Sequence, residues 1–140
     1  MNLRWLDLSF NLIEKIEGLD KNRELEDLSL YNNKITDLSA DKDGKGPLDD
    51  LTKLNVLSIG KNKITKLDDM LRYLQKFKRL QVLKIEGNEF KSEGKQGNDN
   101  AYKTKAIAWL KNLVYLDYNV IKPEERDSAI NEMREQMQET

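Results

Sequence analysis

Apolar positions return along this chain in one fixed frame, Leu-x-x-Leu-x-Leu/Ile-x-x-Asn-x-Ile/Phe. The frame starts at Leu3 (Leu6, Leu8, Asn11, Ile13), Leu25 (Leu28, Leu30, Asn33, Ile35), Leu54 (Leu57, Ile59, Asn62, Ile64) and Leu80 (Leu83, Ile85, Asn88, Phe90). A degenerate fifth copy starts at Leu113, with Leu116 and Tyr118 in register and Ile121 where the asparagine would fall. Within each copy the alternation of two leucines predicts a short, half-buried strand whose apolar side chains point one way and whose intervening residues point the other. A unit this small cannot bury its apolar row alone, so successive units stack and their strands form a parallel sheet.

This is the pattern of a leucine-rich-repeat solenoid, an α/β fold expected to be right-handed, with the parallel sheet on its concave face and short helices and loops on its convex face. Residues 1–122 are assigned to the repeats and their cap strand, and 123–140 to a C-terminal helix. The recurring amides of Asn11, Asn33, Asn62 and Asn88 both donate and accept, and their identical frame predicts a structural ladder that satisfies turn backbone groups. Other segments are more individual. Asp68 to Phe77 carries Met70, Leu71, Leu74 and Phe77 at helical spacing, predicting an amphipathic helix. An insertion over 39–50 holds Asp41, Asp43, Gly44, Gly46 and Pro47, which excludes a continuous helix there and predicts a solvated loop. Its acidic spacing has the start of a calcium loop, but Gly46, Pro47 and Asp50 depart from the rest of that pattern. A second insertion, Lys91 to Asn100, is polar and glycine-rich. Beyond it a helix is expected from Ala101 to Lys111 with Asn100 as N-cap, then a last strand over Val114 to Tyr118. Pro123 followed by Glu124 and Glu125 marks a helix start, with Ala129, Ile130, Met133 and Met137 as a thin apolar stripe. The N-terminal end shows no comparable cap before Leu3. Either further repeats or another molecule is therefore expected to cover Leu3, Leu6, Leu8 and Ile13.

Composition narrows the chemistry. The 140 residues include no cysteine and no histidine, which removes thiolate and imidazole nucleophiles, disulfides and nearly all transition-metal sites. The serines lack a histidine to activate them, and no phosphate-binding Gly-x-x-x-x-Gly-Lys-Ser/Thr loop occurs. The expectation is a non-enzyme with no catalytic residues, no cofactor and no metal. Twenty-four basic residues against 25 acidic ones leave a net charge of −1. That balance argues against direct binding of nucleic acid or an anionic membrane. No segment approaches the roughly 20 apolar residues of a membrane helix, and a cytoplasmic location is expected.

Outward strand positions follow from the register. One column is Trp5, Asp27, Val56, Val82 and Tyr115; a second is Asp7, Ser29, Ser58, Lys84 and Asp117; a third is Ser9, Tyr31, Gly60, Glu86 and Asn119. Neighbours in a column lie about 4.8 Å apart. Exposed aromatic and aliphatic residues on a regular surface anchor protein interfaces. The candidate partner-binding set is therefore Trp5, Asp7, Asp27, Tyr31, Val56, Val82, Lys84, Tyr115 and Asp117.

The phrases IEKIEGL from Ile13, NKITDL from Asn33 and LVYLDY from Leu113 resemble the short intracellular class of leucine-rich-repeat proteins. Within that class, WLDLSFN from Trp5, LEDLSLYNNKI from Leu25, LNVLSIGKNKI from Leu54 and YLQKFKRLQVL from Tyr73 resemble the dynein regulatory complex subunit 3 family. The resemblance implies a non-catalytic subunit of the nexin-dynein regulatory complex, which links doublet microtubules in the axoneme of cilia and flagella. It also implies other subunits of that complex, and a dynein or doublet microtubule, as partners within a large hetero-complex. In that family further repeats precede the equivalent of Leu3 and a coiled coil follows the cap. The same architecture is similar to phosphatase-regulatory and ribonucleoprotein adaptors, which gives an alternative setting.

Overall fold

The inward leucines determine where strands form. A computed structural model describes residues 2–90 and 101–138, with the side chains of the last helix described through Glu135. Each copy contributes one short strand: β1 (Trp5–Asp7), β2 (Asp27–Ser29), β3 (Val56–Ser58), β4 (Val82–Lys84) and β5 (Tyr115–Leu116). They pair in parallel in chain order, and β6 (Asn119–Val120) closes the sheet antiparallel to β5. The central leucines Leu28, Leu57 and Leu83 are fully buried, as are the flanking Ile59 and Ile85, and Leu30 is nearly so. Burying each such side chain contributes about 1.5–3 kcal/mol. In the first copy Leu6, Leu8 and Ile13 are only half-buried.

The asparagines stitch adjacent copies together. Asn62 donates to the carbonyls of Leu30 (2.9 Å), Ile59 (3.1 Å) and Gly60 (3.1 Å), while its Oδ1 accepts the Ile35 N–H at 3.0 Å. Asn33 does the same toward Leu8, Leu30 and Ile13, and Asn88 toward Ile59, Ile85 and Ile64. Asn11 donates only within its own copy, to Leu8 and Ser9. The residue before each of these asparagines is left-handed: Phe10 (φ 59°), Asn32 (58°), Lys61 (50°) and Gly87 (76°). Only glycine takes that conformation without steric cost.

Two helices form convex returns. Helix α1 (Leu67–Leu74) buries Met70, Leu71, Tyr73 and Leu74. It is shorter than the expected 68–77, because Phe77 turns inward through a tight N–H to Leu74 carbonyl bond of 3.2 Å. Helix α2 (Ala101–Trp109) ends two residues before the expected Lys111. Its last carbonyls are taken by Arg126 of α3 (Pro123–Gln138), whose guanidinium donates to Ile107 (2.7 Å), Leu110 (3.0 Å) and Leu113. Ala129 of α3 is buried, and Ile130 and Met133 pack against the same core. The insertion 91–100 with Asn100, and the side chain of Met137, lie outside what the structure describes.

The 39–50 insertion departs from a freely solvated loop. Its tip is exposed and closes on itself, Asp41 Oδ1 accepting the N–H groups of Asp43 (2.8 Å) and Lys45 (3.0 Å). Its second half is clamped by Tyr73, whose hydroxyl accepts the Leu48 N–H at 2.8 Å and donates to Asp49 at 2.7 Å. A Cβ on Gly46 would stand 2.3 Å from the Tyr73 ring, so glycine is required for the approach. Burial pushes the Asp49 carboxyl up. The Tyr73 hydroxyl, the Gly46 N–H and Lys76 together outweigh burial and hold the group below the usual carboxylate value.

Two outcomes follow from this geometry. Asn62→Ala strands buried carbonyls and an N–H in two copies, so it is expected to cost about 3–4 kcal/mol in denaturant unfolding, against less than about 1 kcal/mol for exposed Asn11→Ala. Asp49 titrates lower in the folded chain, so its stabilisation is full above its ordinary value of 3.8 and is lost as pH falls through the folded value. The stability gap between wild type and Asp49→Asn is therefore expected to close on acidification below about pH 4 in urea titrations.

Candidate protein-interaction face

Sheet register brings the outward residues into rows. Trp5, Asp27, Val56, Val82 and Tyr115 stand side by side across β1 to β5, and Asp7, Ser29, Ser58 and Lys84 form the neighbouring row. Trp5 is 61% exposed, Asp7 is exposed, and Asp27, Val56, Val82, Lys84 and Tyr115 are each half-buried. The middle of the second row is small, Ser29 and Ser58, so a partner can approach the sheet closely there.

One row member is corrected. Asp117 is 1% exposed and does not face a partner. The chain reverses after Leu116, Asp117 takes a left-handed conformation (φ 56°), and its Oδ1 accepts the N–H groups of Ile85 (2.9 Å) and Glu86 (3.2 Å). Tyr102 donates to its other carboxylate oxygen at 2.8 Å. In earlier copies the matching N–H groups, Leu30 and Ile59, bond main-chain carbonyls of the next strand, those of Ser58 and Lys84. A carboxylate thus replaces the carbonyl that the reversed chain cannot supply. The expected strand over 114–118 is correspondingly only two residues long, and Asn119 belongs to the returning β6.

The third column forms a rim rather than a continuation of the floor. Tyr31 lies against Gly60, where an added Cβ would come within 3.2 Å of the ring. Phe10 meets Tyr31 edge-on with centroids 5.7 Å apart, and the Lys61 ammonium stands 5.6 Å from the same ring. At the other end the Tyr118 hydroxyl donates to Glu86, and that bond pushes its pKa up to about 12. Phe10 and Tyr118, 71% and 63% exposed, therefore extend the aromatic surface beyond the expected set. The Phe10 position was concealed because its frame position, just before the asparagine, has no partner-facing role in the strand alternation.

Acidic groups are concentrated toward β1 and β2. Asp7 Oδ1 accepts both the hydroxyl and the N–H of Ser9, which hold its carboxyl below the usual range. Burial pushes the Asp27 carboxyl up, with Lys84 opposing and Asp7 reinforcing the shift. Among the described residues no group of three or more acidic side chains is placed to hold a metal ion, and no helix is long and apolar enough to cross a membrane.

The chain matches the leucine-rich repeat family over residues 3–140. It belongs to that family. It is 32% identical to the human leucine-rich melanocyte differentiation-associated protein over 122 residues, covering 82% of this chain and 58% of that protein's length. Among solved structures, the fold is similar to one in the Drosophila melanogaster SNF/U2A′ complex, with a TM-score of 0.77 at 23% identity over 98% of this chain and 75% of that one. It is also similar to the Mex67 leucine-rich-repeat domain of Chaetomium thermophilum, with a TM-score of 0.59 at 24% identity over 89% and 88% of the two chains. The leucine-rich-repeat architecture is the kind typically used as a non-catalytic interaction module.

Different costs are expected for residues that share one sequence column. Trp5→Ala, on an exposed position, should change unfolding free energy by less than about 0.5 kcal/mol. Asp117→Ala leaves two backbone N–H groups without an acceptor and should cost about 2–4 kcal/mol in the same denaturation measurement.

Proposed function

We propose that this leucine-rich-repeat protein is a non-catalytic scaffold whose concave face holds a protein partner. The observation that carries the reading is the outward row Trp5, Asp27, Val56, Val82 and Tyr115, aromatic and aliphatic at its ends and centre and held rigid by strand pairing. Rigid presentation lowers the ordering cost of binding, and exposed aromatic anchors supply affinity. Asp7, Tyr31 and Lys84 flank that row and supply the polar border expected of an interface. Asp117 belongs to the scaffold and not to the face.

The resemblance of the Trp5, Leu25, Leu54 and Tyr73 phrases supports a finer reading, a subunit of the nexin-dynein regulatory complex. Its partners would be other subunits of that complex, with a dynein or doublet microtubule nearby, and its location the ciliary or flagellar axoneme. In that setting the solenoid fixes the position of a dynein-associated protein and transmits load through its sheet. The 32% identity to the melanocyte differentiation-associated protein supports a second reading, an adaptor associated with a differentiation programme.

Affinity purification from ciliated cells after mild cross-linking, with the linked peptides identified, decides between them. Axonemal subunits linked near Trp5, Tyr31 or Tyr115 are the expected result. Recovery of a phosphatase, a ribonucleoprotein or other non-axonemal partners through the same face would keep the scaffold and overturn its axonemal setting. Links confined to the convex helices would overturn the concave-face reading itself.

A further inference from the structure

The concave face is electrically lopsided. At one end Asp7 and Asp27 lie on adjacent strands, close enough for Asp7 to disfavour ionisation of Asp27. The Asp27 carboxylate makes no hydrogen bond or ion pair within 4.0 Å to any described residue. Asp7 Oδ2 likewise has no donor; Ser9 serves only Oδ1. Nearby Arg4 is drawn to Glu26 at 3.8 Å. Lys84, two strands from Asp27, is the cation that faces it on this surface. Beside Lys84, Glu86 is engaged by Tyr118.

Trp5 pairs directly with Asp27 in the sheet register and stands 61% exposed beside this carboxylate pair. An indole face next to two acidic groups offers a cation both ring quadrupole and opposite charge. From Asp27 the row continues as Val56 and Val82, which offer only apolar contact. Ser29 and Ser58 keep the floor low beside Asp27 and Val56, and Lys84 stands beside Val82. Across the sheet the face is therefore aromatic and acidic on β1 and β2 and aliphatic on β3 and β4, with basic Lys84 beside Val82 on β4 and Tyr115 closing the row.

We infer that this face takes a partner segment in one direction: a lysine or arginine of the partner seats against Trp5 between Asp7 and Asp27, and aliphatic side chains next to it lie on Val56 and Val82. The inference rests on the concave-face reading above and adds the chemistry of the occupant. Two like charges with no direct ion pair, opposed only by Lys84 two strands away, are relieved by the partner's cation. Lys84 disfavours the reversed placement, in which a partner cation would meet it. Charge order of this kind determines orientation and partner choice more than raw affinity.

A phage-displayed random peptide library selected on the full chain tests it, with selected peptides then synthesised and titrated by fluorescence anisotropy. Enriched peptides are expected to share a lysine or arginine adjoining two or more aliphatic residues. Binding should weaken at least tenfold in the Asp7→Asn/Asp27→Asn double variant and fall as salt is raised. Replacing the peptide's cation by norleucine should weaken binding to the wild type and leave binding to the double variant unchanged. If peptides instead lose affinity to Val56→Ser/Val82→Ser but not to the asparagine pair, the concave face still binds and the cation seat is overturned. If neither pair of substitutions matters, or no binder is enriched over background, the face reading and the cation seat both fall. Unchanged melting temperatures establish that each variant is folded.

Discussion

Everything in this molecule depends on the inner turn that follows each strand having its backbone polar groups satisfied without water. Stacking copies buries those turns, and a buried carbonyl or N–H left unpaired costs about 1–3 kcal/mol, enough to cancel what burying one leucine returns. The asparagine amide solves the problem because it donates and accepts at once. Asn62 bonds carbonyls at the end of its own strand and at the end of the preceding one, and accepts an N–H from the preceding return. The spacing between copies is thereby set by hydrogen-bond length, and the leucines fill the volume that this spacing creates. The left-handed residue before each asparagine is the geometric cost, accepted even at Phe10 and Lys61.

The same constraint explains the C-terminal end. A ladder must stop, and the last copy still faces a preceding strand whose N–H groups expect acceptors. Asp117 supplies them with one carboxylate oxygen and ties the other to Tyr102, so the reversal into β6 leaves Ile85 and Glu86 satisfied. Arg126 plays the complementary part for carbonyls, gathering those of Ile107, Leu110 and Leu113 where α2 and its following turn expose them. An acceptor-only group and a donor-only group thus replace the amide that did both jobs in the repeats.

What was legible in the amino-acid order follows from this division. Repetition made the strands, the ladder and the rows through Trp5 and Asp7 readable, because one frame seen four times fixes register without any long-range information. Asp117 was misplaced by that strength: Leu113, Leu116 and Tyr118 continue the frame, while the reversal is marked only by the missing asparagine at Ile121 and by turn-prone Asp and Asn around Tyr118. Tyr73 was passed over for a related reason. Helical spacing selects apolar residues, yet its hydroxyl has its partners at Leu48 and Asp49, 25 and 24 positions earlier. Arg126 likewise acts on carbonyls up to 19 positions away. Local periodicity carries no signal for such pairings.

A stack built this way also separates binding from stability. The groups that hold the copies together point inward or lie along the turns, whereas Trp5, Asp27, Val56 and Val82 sit on the opposite side of three-residue strands. Substitution on that face leaves the ladder and the leucine rows intact, so the chemistry presented to a partner can be rewritten one residue at a time. Asp27 illustrates the freedom: its burial on the sheet raises the energy of its charge, and Lys84, two strands away and not in direct contact, offsets only part of that. A scaffold selected for stability alone would carry a serine or threonine there, as Ser29 and Ser58 do in the adjoining row. A carboxylate only partly compensated by Lys84, beside an exposed indole, is instead a group whose remaining compensation is left to another molecule.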